Sequence, residues 1–181
     1  IVDAYRAEYR LKHKRGHWVW VLAAGRVLDR SETGAPLRMV GIHQDISQRK
    51  AMEESLLQLA TSDPLTGLWN RRHFVEVVRS ELGRVRRNQS PAGLLLLDLD
   101  FFKRVNDTHG HHVGDLLLQE VARRLLDGAR ASDTVARLGG DEFVVLLPLI
   151  ANESDALAVA KMIFDALDQV FVIGDLQLKI D

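Results

Sequence analysis

Two glycines and two acids stand together in Gly139-Gly140-Asp141-Glu142, between the β-prone runs 134–138 and 143–147. A Gly-Gly pair suits a tight hairpin connection. A solubilising turn needs one polar residue and no partners, whereas two adjacent acids suit a cation site if other carboxylates converge on them. Asp98 is the first candidate, because it ends the apolar run 94–97, where the pattern reads as a buried strand. A carboxylate there is costly unless it is paired, hydrogen-bonded or metal-bound. If the two strands are neighbours, Asp98, Asp141 and Glu142 meet. Hard oxygen donors without a His or Cys partner suit magnesium, which usually holds substrate phosphates as well. Asp100 fits better as the cap of the helix that follows.

The next residues extend this chemistry. A strand running into a short helix offers free backbone N–H groups at Phe101 and Phe102, a seat for phosphate. Lys103 can add positive charge beside it, although a solvated surface lysine fits the sequence equally well. Asn106 and Asp115 can read a base: a carboxylate accepts from the N1–H and N2–H₂ edge of guanine, and an amide complements O6 or N3. Adenine leaves that carboxylate without donors, so the pair selects guanine. The plainer reading of Asp115 is a first-turn acid favoured by the helix dipole. His109, His111 and His112 lie in what reads as a flexible loop, with no matching ligand pattern elsewhere for zinc.

The elements that must position these groups follow from periodicity. Residues 7–47 read as three antiparallel strands with turns at Arg15-Gly16 and 31–36, and Trp18, Trp20 and Leu22 share one face. Such a sheet needs something to cover its apolar face. A helix follows to Ser62, with Met52, Leu56 and Leu59 as a short heptad stripe suited to a parallel two-helix linker, and Asp63-Pro64 ends it. Beyond it helices and strands alternate. Asn70 caps a helix with the stripe Phe74, Val77, Val78, Leu82 and Val85; residues 92–100 form a buried strand; residues 114–128 form a second helix; and 134–148 form the hairpin. A third helix turns Leu157, Ala160, Ile163, Phe164 and Leu167 inward, and 171–181 begins another hairpin. The class is α/β with mixed strand directions.

With 181 residues, 46% hydrophobic and 27% charged, the chain has room for one full domain and part of another. A net charge of −1 argues against broad binding of a nucleic-acid polymer. The absence of cysteine excludes disulfides and thiolate metal sites and fits a reducing cytoplasm. No apolar run approaches the roughly 20 residues of a membrane span, so no membrane contact is expected of this segment. The chain opens on Ile1 in β-like sequence, so it is expected to start inside a larger protein, which could be membrane-anchored upstream.

Two resemblances gather these readings. "RGHWVWV" and "VGIHQDISQRK" resemble the last strands and exit of a PAS sensor domain. "DPLTGLWNRRHF", "LLLLDLDFFKRVNDTHGHHVGD" and "ARLGGDEFVVLLP", in this order and spacing, resemble the GGDEF family of diguanylate cyclases. The division implied is a C-terminal part of a PAS domain over 1–47, a linker helix over 48–62 and a GGDEF domain over 63–181. The fold implied is a nucleotide-cyclase-like palm, a central sheet flanked by helices, and the activity is condensation of two GTP into cyclic di-GMP with release of pyrophosphate. By the same resemblance Asp98, the carbonyl of Leu99 and Asp141 hold magnesium, and Asn106, His111 and Asp115 hold the nucleotide. Lys103 stabilises the transition state, and Asp141 or Glu142 assists deprotonation of the attacking 3′-hydroxyl, with the sequence not choosing between them. Gly139 and Gly140 leave room for GTP. Two subunits must face each other, which implies a homodimer. Arg130 and Asp133 match the family's RxxD product-inhibition motif, in type and in the nine-residue offset from Arg130 to Gly139. Extended at ~3.3 Å per residue, the intervening strand sets Asp133 on the order of 20 Å from the hairpin tip. Arg84 or Arg87 of a neighbouring subunit could complete that site. The family pattern continues beyond "LQLKID" with a basic stretch, so this fragment is expected to be weakly active or inactive. The alternative reading is an inactive GTP- or cyclic-di-GMP-binding or dimerisation module.

Overall fold

Period-two alternation in the first 45 residues becomes a meander. In the computed structural model, which describes residues 4–180, β1 (Ala4–Lys12), β2 (Trp18–Arg30) and β3 (Pro36–Asp45) form an antiparallel sheet in that order. Val21 and Ala23 are buried on one face. On the other, the Arg10 guanidinium lies 5.9 Å and 5.7 Å from the rings of Trp18 and Trp20. β3 is exposed throughout, with Leu37, Met39, Val40 and Ile42 open to solvent. Helix α1 (Ser47–Thr61) begins where the Asp45 carboxylate accepts from the Ser47 N–H at 2.9 Å. Its first turn is tied to β1 by ion pairs from Arg49 and Lys50 to Glu8, at 2.7 Å and 2.9 Å. Met52, Leu56 and Leu59 are all exposed.

The chain divides into two compact units, Ile1–Gln58 and Leu59–Asp181. The second contains β4 (Trp69–Asn70), α2 (Arg71–Asn88), β5 (Gly93–Asp98), α3 (Phe102–His109), α4 (His111–Gly128), β6 (Thr134–Gly139), β7 (Glu142–Leu147), α5 (Glu153–Leu167), β8 (Phe171–Ile173) and β9 (Leu176–Leu178). The first four of its strands make one sheet in the order β4-β6-β7-β5, with β6 and β5 antiparallel to β7 and β4 parallel to β6. Helices α4 and α5 cover one face: Leu117, Leu118, Val121, Leu125, Val159 and Ile163 pack with Phe143, Val145 and Leu147. Helix α2 covers the other through Phe74, against Ala136, Val144 and Leu146. Its start is fixed as the sequence suggests, with the Asn70 side chain accepting from the His73 N–H at 3.0 Å.

The structure corrects several expectations. The strand over 92–100 is not buried on both faces: Leu94 and Leu96 are 59% and 69% exposed. Strand β5 is at the edge of the sheet, and α2 covers β6 and β7 but stops short of it. For the same reason Asp98 is exposed rather than buried. Leu82 of α2 is exposed, while Glu81, Arg84 and Val85 around it are half-buried. In α5 the buried residues are Val159 and Ile163, while Leu157 and Phe164 face outward. Residues 171–178 form the expected hairpin, with Phe171 paired to Leu178; Asp181 lies outside the described residues.

Candidate active site

The hairpin tip is built by register. In the β5–β7 ladder Asp98 is the direct partner of Glu142, and Gly139 partners Glu142 across the β6–β7 turn. Directly paired residues share a sheet face, so Asp98 and Glu142 emerge side by side at the strand ends with Asp141 next to them in the turn. Gly139 and Gly140 adopt φ of +147° and +53°, and a Cβ added to either meets nothing within 4 Å. These are conformations that suit glycine, and they leave open space against the tip backbone.

Across the strand end, Phe101 has φ +63°, an uncommon left-handed conformation for a bulky residue and a mark of local strain. That turn starts α3 without any side-chain cap, so Asp100 does not take the capping role. The Phe102 N–H makes a long hydrogen bond, 3.3 Å, to the Leu99 carbonyl, so it is not wholly free as the sequence suggests. Phe101 N–H has no hydrogen-bond partner among the described residues. Lys103 is exposed in the first turn of α3. The histidines are not in a loop: His109 ends α3, and His111 and His112 occupy the first turn of α4, with Gly110 as the break between the helices.

Helices α3 and α4 place Asn106 against Gly114, one residue before Asp115. Asn106 Oδ1 is buried and has no hydrogen-bond partner. It lies over Gly114, where an added Cβ would come within 2.0 Å of it, and Asp115 follows directly on the exposed side of α4. Gly114 is a position that sequence reasoning did not single out; its place one residue before Asp115 was the available signal. A second omission is Arg137, whose guanidinium reaches from β6 to the tip carbonyl of Gly140.

Among the described residues no three His, Cys, Asp or Glu side chains form a metal cage by themselves. Of the groups at the strand ends, Asp98, Asp141 and the Leu99 carbonyl are the expected metal donors, with Glu142 beside Asp98. That donor set fits magnesium, which takes one or two carboxylates and completes its shell with water and substrate phosphates. Arg130 and Asp133 lie at the opposite end of β6. The Asp133 carboxylate accepts from the Arg130 backbone N–H at 2.9 Å, while the Arg130 guanidinium has no ion-pair partner among the described residues. Arg84 is engaged within its own chain, by Glu81 and the carbonyl of Pro148.

A family model described as "Diguanylate cyclase, GGDEF domain" matches residues 60–181. The chain belongs to the GGDEF family. A PAS-fold model matches residues 2–43 ahead of it. The response regulator PleD of Caulobacter vibrioides is 47% identical over 107 residues, 59% of this chain and 23% of the relative. An uncharacterised protein, y4lL, of Sinorhizobium fredii is 36% identical over 98% of this chain and 23% of its own length. This GGDEF-family chain thus spans under a quarter of the length of these curated relatives. Among solved structures, diguanylate cyclase SiaD of Pseudomonas aeruginosa, in complex with its activator SiaC, aligns with a TM-score of 0.65 at 37% identity. That alignment covers 74% of this chain and 51% of SiaD. The coiled coil and GGDEF domain of DgcB from Caulobacter crescentus, in complex with c-di-GMP, aligns with a TM-score of 0.67 at 25% identity, covering 75% and 72%. The GGDEF sheet and its helices are therefore the fold of this unit.

Proposed function

We propose that the protein is a diguanylate cyclase that condenses two GTP into cyclic di-GMP. The observation that carries this reading is the register pairing of Asp98 with Glu142, with Asp141 beside them at a tip held open by two glycines. In each of two steps a ribose 3′-oxygen bonds to the α-phosphorus of the other GTP, the bond to pyrophosphate breaks, and the hydroxyl proton passes to a carboxylate. Asp141 or Glu142 serves as that acceptor. Asp98, Asp141 and the Leu99 carbonyl are the groups that hold magnesium, which when bound neutralises charge on the phosphoryl oxygens. Lys103 adds positive charge at the phosphates, and the backbone at Phe101 and Phe102 seats them. Asn106, His111 and Asp115 hold the guanine nucleotide. Each site holds one GTP, so two copies face each other, and the exposed stripe Met52, Leu56 and Leu59 on α1 is apolar surface suited to pairing two linker helices.

We further propose a division into a PAS part over 1–47, a linker over 48–62 and the cyclase domain over 63–181, and control of the encounter between sites by the linker. GTP is an intracellular nucleotide, so the reaction is placed in the cytoplasm; no helix among the described residues is long and apolar enough to cross a membrane. Substituting Asp98→Ala or Asp141→Ala in the full-length protein tests the reading. Both are expected to abolish cyclic di-GMP formation while leaving the circular dichroism and melting curve close to wild type, since neither side chain is in the core. Wild-type rates from either variant would overturn the metal assignment.

A further inference from the structure

The hairpin tip poses a mechanical problem. Its two glycines have positive φ and nothing packs where their side chains would be, so the turn that carries Asp141 has no rigidity of its own. The ladder is also irregular there, with a register shift between Arg137 and Gly139. A carboxylate that must meet a cation within a fraction of an ångström needs support from outside the turn.

Arg137 supplies it. Its Nε and Nη2 both donate to the Gly140 carbonyl, at 2.9 Å and 2.7 Å, a two-pronged grip on the residue before Asp141. Its Nη1 donates to Asp63 Oδ1 at 3.0 Å. Asp63 is itself locked: it accepts from the Thr66 N–H at 2.9 Å and the Thr66 hydroxyl at 2.7 Å. Its own N–H donates to the Leu68 carbonyl at 2.7 Å, and the turn is anchored in the core by Leu68. Partial burial disfavours the Asp63 charge, but the bonds from Thr66 and Arg137 outweigh it and hold the carboxyl below its usual range. The pair is well shielded, with side-chain exposures of 11% for Arg137 and 18% for Asp63.

We propose that Arg137 is a positioning residue for the metal-binding tip, holding the Gly140 carbonyl so that Asp141 points at the cation and bracing itself against Asp63. The chain runs from the turn that follows α1, through Asp63 and Arg137, to Gly140 and Asp141. A change in that turn therefore alters cation binding at the tip without touching a ligand. An ordinary ion pair between Arg137 and Asp63 needs no hydrogen bond to the tip; the two hydrogen bonds to the Gly140 carbonyl are what distinguish the two roles.

The inference rests on the proposed cyclase reading and is tested with a readout that does not depend on turnover. Mn²⁺ is titrated by electron paramagnetic resonance into the full-length protein carrying a non-hydrolysable GTP analogue, for the wild type, Arg137→Met and Arg137→Lys. Arg137→Met, which keeps length but loses the donors, is expected to bind Mn²⁺ about 10- to 100-fold more weakly, the range typical of residues that orient metal ligands. The magnesium concentration that half-saturates turnover should rise in step, and Arg137→Lys should fall between. Folded Arg137→Met with wild-type Mn²⁺ affinity overturns the proposal. If Arg137→Met does not fold, Arg137→Lys decides on the same reading, with unchanged affinity again contradicting it. A wild type that binds Mn²⁺ and GTP analogue yet makes no cyclic dinucleotide would sink the cyclase reading alone and leave the role of Arg137 decided by the titration.

Discussion

Asn106 and Asp115 sit on different helices, and the missing Cβ of Gly114 leaves room for the Asn106 side chain one residue before Asp115. The Asn106 amide oxygen packs on Gly114, where a Cβ would come within 2.0 Å of it. In the proposed reading the two groups meet the guanine edge, whose donors adenine lacks. The wild type should favour GTP over ATP by about 1–3 kcal/mol, roughly 5- to 150-fold in affinity. Gly114→Ala should erode that preference by displacing Asn106 while the helix itself gains from alanine. Competitive nucleotide titration of both proteins checks this, and an unchanged GTP preference in Gly114→Ala would refute the packing argument. Local pattern was enough to single out Asp98, Asn106 and Asp115 as candidates: an acid at a strand end, and an amide and an acid within two successive helical stretches. It did not single out Gly114 and Arg137, since their roles depend on contacts 8 and 74 residues away, to Asn106 and Asp63, that no local pattern encodes.

At the scale of elements, period and caps carried the reading, and neighbours decided what they could not. Asn70 caps α2, α1 spans the expected residues, and the hairpin falls between Thr134 and Leu147. Leu94 and Leu96 failed the expectation of burial because an apolar run looks the same in a central strand and in an edge strand that lacks one cover. Phe164 failed for a related reason, since it lines an apolar cleft of about 480 Å³ along β5 with Leu94, Leu96 and Leu167. One element junction has a pH signature. Arg124 donates to the carbonyls of Ala166, Gln169 and Val170 at 3.0, 2.6 and 2.8 Å, closing the end of α5, and Glu120 orients it. Hydrogen bonds from Arg123, against some burial and with help from Arg124, lower the Glu120 carboxyl from 4.5 to about 2. A depressed folded value means stability that is present above pH 4.5 and lost as pH falls toward about 2. Arg123 is exposed, so solvent and salt weaken its share. The melting temperature of Glu120→Gln should therefore lie below wild type at neutral pH and converge on it below pH 4.5. A gap that persists unchanged into acid would contradict this.

At the scale of the molecule, the proposed product site and the proposed cyclase tip lie apart, at opposite ends of one strand. Arg130 and Asp133 stand at one end of β6 and the hairpin tip at the other, six strand residues apart. Asp133 is occupied by its own turn, whereas the Arg130 guanidinium is available to fork onto a phosphate or stack on a guanine. Cyclic di-GMP is expected to bind there and inhibit the full-length enzyme without competing with GTP, the behaviour of two distinct coupled sites. Arg130→Ala should keep the initial rate and lose the inhibition; inhibition at the same product concentration would show that the site lies elsewhere. The central claim is turnover itself. Purified full-length protein, incubated with GTP and magnesium and resolved by liquid chromatography with mass detection, is predicted to form cyclic di-GMP and two pyrophosphates per product. Protein that binds GTP and magnesium but leaves the nucleotide unconverted would contradict the account and mark this domain as a binding module.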